Sequence, residues 1–282
     1  MKLAKKYPDH QIKTGIRVNF DIDAGYTSRF GIDINNLKEI FELLKSNNVE
    51  VNGLHCHMSR ARGIDAWKLR ANTMLKLVEN YKLYDIDYIS LGSGMFGKMD
   101  PELKAQFPLD APDYDLYAEE VISLFAKFYE DKEKKPILFT EPGTTLVSKY
   151  VDFLAKIIGV KNIRGKDFVL LNCSFHNLGE TSQMKNLPIR IFKNEVDIKH
   201  VNNANFVGYT CLEQDVIYRE YTGEISNDDY VLFGNVGGYS LVDKPPFIMP
   251  DYPMIMLDNE DIQLIKRKEN FSDIFKTFVF EE

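Results

Sequence analysis

Cysteine is scarce and scattered: there are 3 in 282 residues, Cys56, Cys173 and Cys211, and no two form a CxxC pair. That spacing argues against a disulfide framework or a cysteine-built zinc cage, and it makes a reducing cytoplasm the expected compartment. Long basic runs are also missing, and the net charge is −7. Binding a phosphate backbone needs clustered Lys and Arg, so no nucleic-acid partner is expected. The one short basic cluster, residues 132–135, contains Glu133 and reads as a solvated helix end. No stretch reaches the roughly 18 apolar residues of a membrane span. The opening residues MKLAKKY lack the apolar core of a signal peptide, so no membrane partner is expected.

What is present is a chain with 44% apolar residues, enough to bury one large core or two modest ones. Up to about residue 149, β-prone runs alternate with helical patterns. Strands are expected over 12–19, 49–58, 86–91 and 136–140, and helices over 35–46, 64–81 and 114–129. This order of βα units fits a parallel sheet or barrel. After residue 149 the texture becomes β-rich, with strands expected near 150–160, 168–171, 204–210, 230–233 and 254–257. Turn clusters such as Thr222-Gly223-Glu224 would separate them. The expected division is therefore an α/β domain over 1–149 and an all-β barrel or sandwich over 150–282. Four βα units leave sheet edges bare, and residues 2–7 resemble the last turns of a helix. The expectation is thus that the front of the first domain is missing.

Polar residues gather where strands end, which is where parallel α/β folds keep their chemistry. The run 136–140 leads into Glu141-Pro142-Gly143-Thr144-Thr145-Leu146-Val147, a carboxylate followed by a turn. The second strand ends Gly53-Leu54-His55-Cys56-His57-Met58-Ser59-Arg60, and alternation puts His55 and His57 on one face. The other histidines, His10, His176 and His200, are remote in sequence, so no metal site is expected and an imidazole packed against a planar ligand is the better reading. The third strand ends Leu91-Gly92-Ser93-Gly94, small residues whose backbone amides could approach a phosphate. Together the tips suit an anionic, ring-shaped cofactor with a protonatable nitrogen. In the β-rich part, Cys211-Leu212-Glu213-Gln214-Asp215 and Gly237-Gly238-Tyr239-Ser240 stand out. Read alone, Cys211 could be a buried packing residue.

In this order, the motifs resemble the pyridoxal-phosphate-dependent decarboxylases of the alanine-racemase-like fold, which include diaminopimelate, ornithine and arginine decarboxylases. GLHCHMS is similar to the family's G-L-H-x-H-x-G-S, LGSG to its G-G-G loop, and EPGTTLV to E-P-G-R-x-L-V. CLEQD is similar to C-x-x-x-D, GGYS to G-A-Y, and Ser28-Arg29-Phe30-Gly31-Ile32 to S-K-F-G-[IF]. The resemblance implies the C-terminal half of a (βα)8 barrel followed by a β domain, with pyridoxal 5'-phosphate as cofactor and an amino acid as substrate. It implies that His57 stacks on the cofactor ring and that Gly92, Ser93, Gly94 and Gly143 hold the phosphate. Glu141 would pair with the pyridine nitrogen, and Tyr239 would reach the phosphate. Cys211 would return a proton to carbon from the second subunit of a homodimer, and Asp215 would bind the substrate's distal group.

The chain departs from the family pattern in four places. Ser59 and Arg60 stand where the family has Gly-Ser, Thr144 stands for Arg, and Leu212 for the Glu that diaminopimelate decarboxylases carry after the cysteine. Arg60 is a candidate replacement for the lost cation. No lysine here matches the family's cofactor-bonding residue; Lys2, Lys5, Lys6 and Lys13 carry no motif. Two alternatives therefore stand beside decarboxylation: a racemase on the same fold, and a non-catalytic binding or regulatory relative.

Overall fold

The β-prone runs of the first 140 residues lie side by side in a parallel sheet in the computed structural model, which describes residues 2–107, 111–194 and 196–279. Strands β1 (Ile12–Asn19), β2 (Ile32–Asp33), β3 (Val49–His55), β4 (Tyr88–Ser90) and β5 (Ile137–Phe139) pair in the order β2-β1-β3-β4-β5. Beyond the two-residue β2, neighbours in the sheet follow chain order without reversal. That is the winding of a barrel rather than of a doubly wound sheet.

The helices Leu37–Ser46 and Ile64–Asn80 follow β2 and β3. Trp67, Ala71, Met74 and Val78 recur at helical spacing and are buried, in one cluster with Leu54, Cys56 and Met58, alternate residues at the end of β3 and just beyond. The intervening positions, Gly53, His55 and His57, therefore point to the other face. The sequence predicts one helix over 114–129, but the stretch is broken. It is α over Tyr114–Tyr117, π over Ala118–Ile122 and α again over Ser123–Phe128. The π-turn starts directly after Tyr117, whose hydroxyl donates to the Arg62 carbonyl and accepts from the Phe96 amide.

The second core belongs to a six-stranded sheet. Strands β6 (Phe153–Ile163), β7 (Lys166–Leu171), β8 (Ile189–Phe192), β9 (Lys199–Val207), β10 (Val216–Ile225) and β11 (Tyr230–Phe233) pair in the order β10-β9-β7-β6-β11-β8. All pairs are antiparallel except β7 with β9. Ala155, Ile157, Val169, Leu171, Val231 and Phe233 alternate along their strands into this core. A separate hairpin joins β12 (Met254–Asp258) to β13 (Asp261–Lys266).

Two expectations need correction. Thr222-Gly223-Glu224 is not a turn between strands but lies inside β10, where Gly223 pairs with Val201 and Glu224 with His200. The register shifts twice nearby, and the Tyr221 ring fills the space over Gly223, so an irregular strand resembles a turn in sequence. The division of the chain also differs from 1–149 and 150–282. One compact unit comprises Met1–Lys98 and Phe107–Leu146, the other Met99–Gln106 and Val147–Glu282. Residues 99–106 join the β-rich unit through side-chain bonds: Gln106 exchanges two hydrogen bonds with the Asn186 backbone, and Asn235 donates to Asp100.

Candidate active site

Strand register brings the polar tips together. His55 of β3 lies opposite Ser90 of β4, and Ser90 lies opposite Phe139 of β5. The ladder continues past the strands, because the Cys56 amide donates to Ser90 O, Leu91 to Phe139 O and Glu141 to Gly92 O. Glu141 is thus delivered to the sheet's C-terminal mouth beside both histidines. Its Oε2 is 3.2 Å from His57 Nδ1, and its Oε1 accepts from Ser90 Oγ at 3.1 Å. His55 Nε2 lies 3.1 Å from the same Oε1, yet it is buried and lacks the alignment of a hydrogen bond.

Electrostatics follow from this packing. Burial alone would raise the Glu141 pKa. The His57 hydrogen bond, the His55 charge and the Ser90 hydrogen bond outweigh it and hold the carboxyl below its usual range. Burial lowers His55, with Arg17 adding to the effect and Glu141 opposing it, so at neutral pH its imidazole is mostly uncharged. The carboxylate is therefore ionised and aimed by its neighbours. It can accept a hydrogen bond from a protonated ring nitrogen.

The Gly92–Gly94 loop is clamped against the end of β3. Gly92 and Gly94 have φ values of +66° and +92°, and a side chain at Gly94 would lie 2.1 Å from the Met58 carbonyl. The clamp is Arg70, fully buried on the helix Ile64–Asn80. Its guanidinium donates to the carbonyls of Ser93, Arg60 and Ala61 at 2.7, 3.0 and 2.9 Å. Trp67 Nε1 adds a bond to Gly94 O at 2.9 Å. Burial pushes the Arg70 pKa down to about 10, so it stays cationic at neutral pH. Gly94→Ala is expected to destabilise the protein by about 2–4 kcal/mol, since it combines a left-handed backbone with a clash against main chain. Chemical denaturation reads the loss, and an unchanged midpoint would show that the loop can move aside.

Gly143 differs from these two glycines, because a side chain there would meet no described atom within 4 Å. Its neighbour Thr145 has a buried hydroxyl without a hydrogen-bond partner, and Thr145 packs against Gly97. At the tip of β1, a cleft of about 600 Å³ is lined partly by Asp21, Asp23, Asp33 and Tyr26.

The residues of the β-rich unit fare differently. Cys211 is exposed, on the loop between β9 and β10, so the packing alternative does not hold for it. Tyr239 is half exposed on a turn with φ +64°. Asp215, which the family resemblance places at the substrate, is already engaged by its own neighbours. It is only 3% exposed, and its carboxylate already accepts from the Phe175 amide, the Thr210 amide and the Thr210 hydroxyl at 2.8, 3.2 and 2.6 Å. It braces the loop that carries Cys211.

Sequence reasoning missed Ser90 and Arg70 and gave His55 no task of its own. Ser90 had a signal, being one strand position before the LGSG loop. Arg70 had none, as a lone arginine in a helix usually faces water. The third group near the two histidines is also not another histidine but Glu141, and the ligating atoms of His55, His57 and Glu141 all lie within 4.8 Å of one another.

A barrel-type sheet whose mouth holds a fixed carboxylate, two imidazoles and a clamped glycine loop defines a class of site suited to a ring-bearing anion. Comparison with known proteins narrows this class. The profile of the family described as pyridoxal-dependent decarboxylase, pyridoxal binding domain, matches residues 1–148, and the chain belongs to that family. It is 26% identical over 289 residues to diaminopimelate decarboxylase of Aquifex aeolicus (strain VF5), covering 97% of this chain and 64% of the relative. It is 24% identical over 285 residues to a probable chloroplastic diaminopimelate decarboxylase of Oryza sativa subsp. japonica, covering 93% and 55%. The chain thus spans under two thirds of the length of these curated relatives. Among solved structures, diaminopimelate decarboxylase from M. jannaschii in co-complex with L-lysine superposes with a TM-score of 0.80 at 20% identity, covering 99% of this chain and 66% of that one. The fold is theirs: an arc of a (βα)8-type barrel followed by a β domain. Among the described residues, no helix is long and apolar enough to cross a membrane.

Proposed function

We propose that this chain forms the greater part of a pyridoxal-phosphate-dependent amino-acid decarboxylase of the diaminopimelate, ornithine and lysine type, working as a homodimer in the cytoplasm. The observation that carries the reading is the Glu141 carboxylate, kept ionised at the sheet mouth by His57 and Ser90. The residues fit the cofactor: a carboxylate for its ring nitrogen, a rigid glycine loop, and an unpartnered Thr145 hydroxyl beside Gly97. When bound, pyridoxal phosphate supplies an electron sink for the bond to the departing carboxyl group.

The chain's own residues have distinct tasks in this reading. Glu141 would keep a proton on the ring nitrogen, and His57, which already holds Glu141 Oε2, would stack on the ring. Gly92, Ser93, Gly94 and Gly143 would hold the phosphate and Tyr239 would reach it, as the family resemblance implies, with Arg60 supplying the cation absent at Thr144. Arg60 is tied to this loop through Arg70, which binds the carbonyls of both Arg60 and Ser93. Cys211 of a second copy would deliver a proton from Sγ to carbon, and Asp215 holds its loop in shape. A substrate with a distal cation suits the exposed Glu213 on that loop and the acidic cleft at the β1 tip.

The test begins with cofactor binding by the chain, followed by absorbance or dialysis. Glu141→Gln is expected to weaken it about ten- to hundredfold, the value of a charge-assisted hydrogen bond. Equal affinity in the variant would remove Glu141 from the site. Protein from the full reading frame should then release CO2 from a diamino or basic amino acid, and inactivity across a broad amino-acid panel would refute decarboxylation.

A further inference from the structure

His55 Nε2 is buried, has no well-aligned hydrogen-bond partner and sits 3.1 Å from Glu141 Oε1. His57 Nδ1 stands 3.2 Å from the other oxygen, and the ligating atoms all fall within 4.8 Å. Three donors spaced this way match a known demand. With Zn–N and Zn–O bonds of about 2.05 Å, tetrahedral geometry sets neighbouring ligand atoms about 3.3 Å apart. His55 Nε2 to Oε1 and His57 Nδ1 to Oε2 are each near that length but use the two different oxygens of one carboxylate, so a side-chain rotation must bring both imidazoles to a shared ion.

We propose that the cofactor-free chain binds a divalent late transition metal of the zinc type at His55, His57 and Glu141, and that this ion and pyridoxal phosphate exclude each other. Two imidazoles and one carboxylate form a donor set that zinc and cobalt accept, with remaining positions open to water. Glu141 is exposed and His57 partly so, which opens the site to solvent on that side, while His55 Nε2 is buried on the inner side. Ser90 Oγ, donating to Glu141 Oε1, fixes the carboxylate from behind, as outer-shell partners do in metal sites. Arg17 works against the ion: it reaches the His57 carbonyl at 3.4 Å, and its charge acts on His55. Binding is therefore expected in the micromolar rather than the nanomolar range. Exclusion follows because Glu141 cannot serve an ion and a pyridine nitrogen together. That half of the inference rests on the proposed function, whereas the metal site itself does not.

Cobalt(II) titrated into the full, cofactor-free chain provides the test, read by its visible d–d absorption and by equilibrium dialysis with metal analysis. One ion per chain is expected, with affinity falling at least tenfold in both His55→Ala and Glu141→Gln and unchanged in the surface control His200→Ala. Far-UV circular dichroism on the same samples checks folding, and Glu141→Gln keeps the size of the side chain should His55→Ala unfold. Added pyridoxal phosphate should release the cobalt in proportion. Absence of saturable binding, native affinity in both variants, or cobalt and cofactor bound together without mutual weakening would overturn the inference. A chain that binds cobalt but not pyridoxal phosphate would refute the proposed function and leave the metal site standing.

Discussion

Arg70→Met is expected to lower the melting temperature by roughly 10 °C and to weaken cofactor binding in the same sample. Arg70 is fully buried, and its charge is spread over the carbonyls of Ser93, Arg60 and Ala61. Methionine keeps most of the stem volume and removes every donor, so three carbonyls lose their partner at once. Each buried, unmet acceptor costs about 1–3 kcal/mol. Relief of the buried charge offsets part of that, giving a net loss of about 3–5 kcal/mol. Arg70→Lys should recover less than half, because an ammonium cannot span three acceptors in the guanidinium's planar fork. The exposed ion pair Lys68–Glu120, with its 2.6 Å separation, supplies the contrast. Removing Lys68 should leave the melting temperature unchanged, because solvent screens the pair. A small effect of Arg70→Met would mean that water replaces the guanidinium and that the glycine loop holds its shape without it.

The prediction turns on a residue that sequence reading could not single out, and the reason is physical. The placement of His57, Glu141 and the Gly92–Gly94 loop at one sheet mouth was legible because strand alternation and strand ends restrict where side chains go. Residues 53–58 alternate small or polar with apolar, and His55 and His57 fall on the face away from Trp67 and Met74 as that pattern requires. Arg70 and Ser90 act through tertiary hydrogen bonds to main chain and to Glu141, and nothing local marks such partners. Asp215 shows the limit from the other side. Its place in CLEQD suggested a residue facing a ligand, but burial decides the role of a carboxylate, and burial is set by Phe175 and Thr210 folding over it. Strand β10 was obscured because Thr222-Gly223-Glu224, near its C-terminal end and beside a register shift, has the composition of a turn.

The second large effect is expected at Cys211. In protein from the full reading frame, Cys211→Ala should slow turnover about 10²–10⁴-fold, the usual cost of losing a positioned general acid. Cofactor affinity and melting temperature should stay the same. The stability half follows from the structure, since Cys211 is exposed on the loop between β9 and β10 and fills no core space. Its loop is held by others: Asp215 accepts from both the amide and the hydroxyl of Thr210, and the Gly208 amide donates to Asp215 O. Asp215→Asn should therefore act differently. It would leave the thiol in place, loosen the loop and lower both stability and rate, while Cys211→Ala lowers rate alone. Protonation on the cofactor instead of the substrate carbon in the alanine variant should also yield some aldehyde, with the amino group retained by the cofactor, detectable beside the amine. Cys211→Ser separates proton delivery from loop shape, because the hydroxyl keeps the size but is a far weaker acid. Normal turnover in Cys211→Ala would remove the thiol from the chemistry, and with it the chief reason for preferring decarboxylation to racemization on this fold.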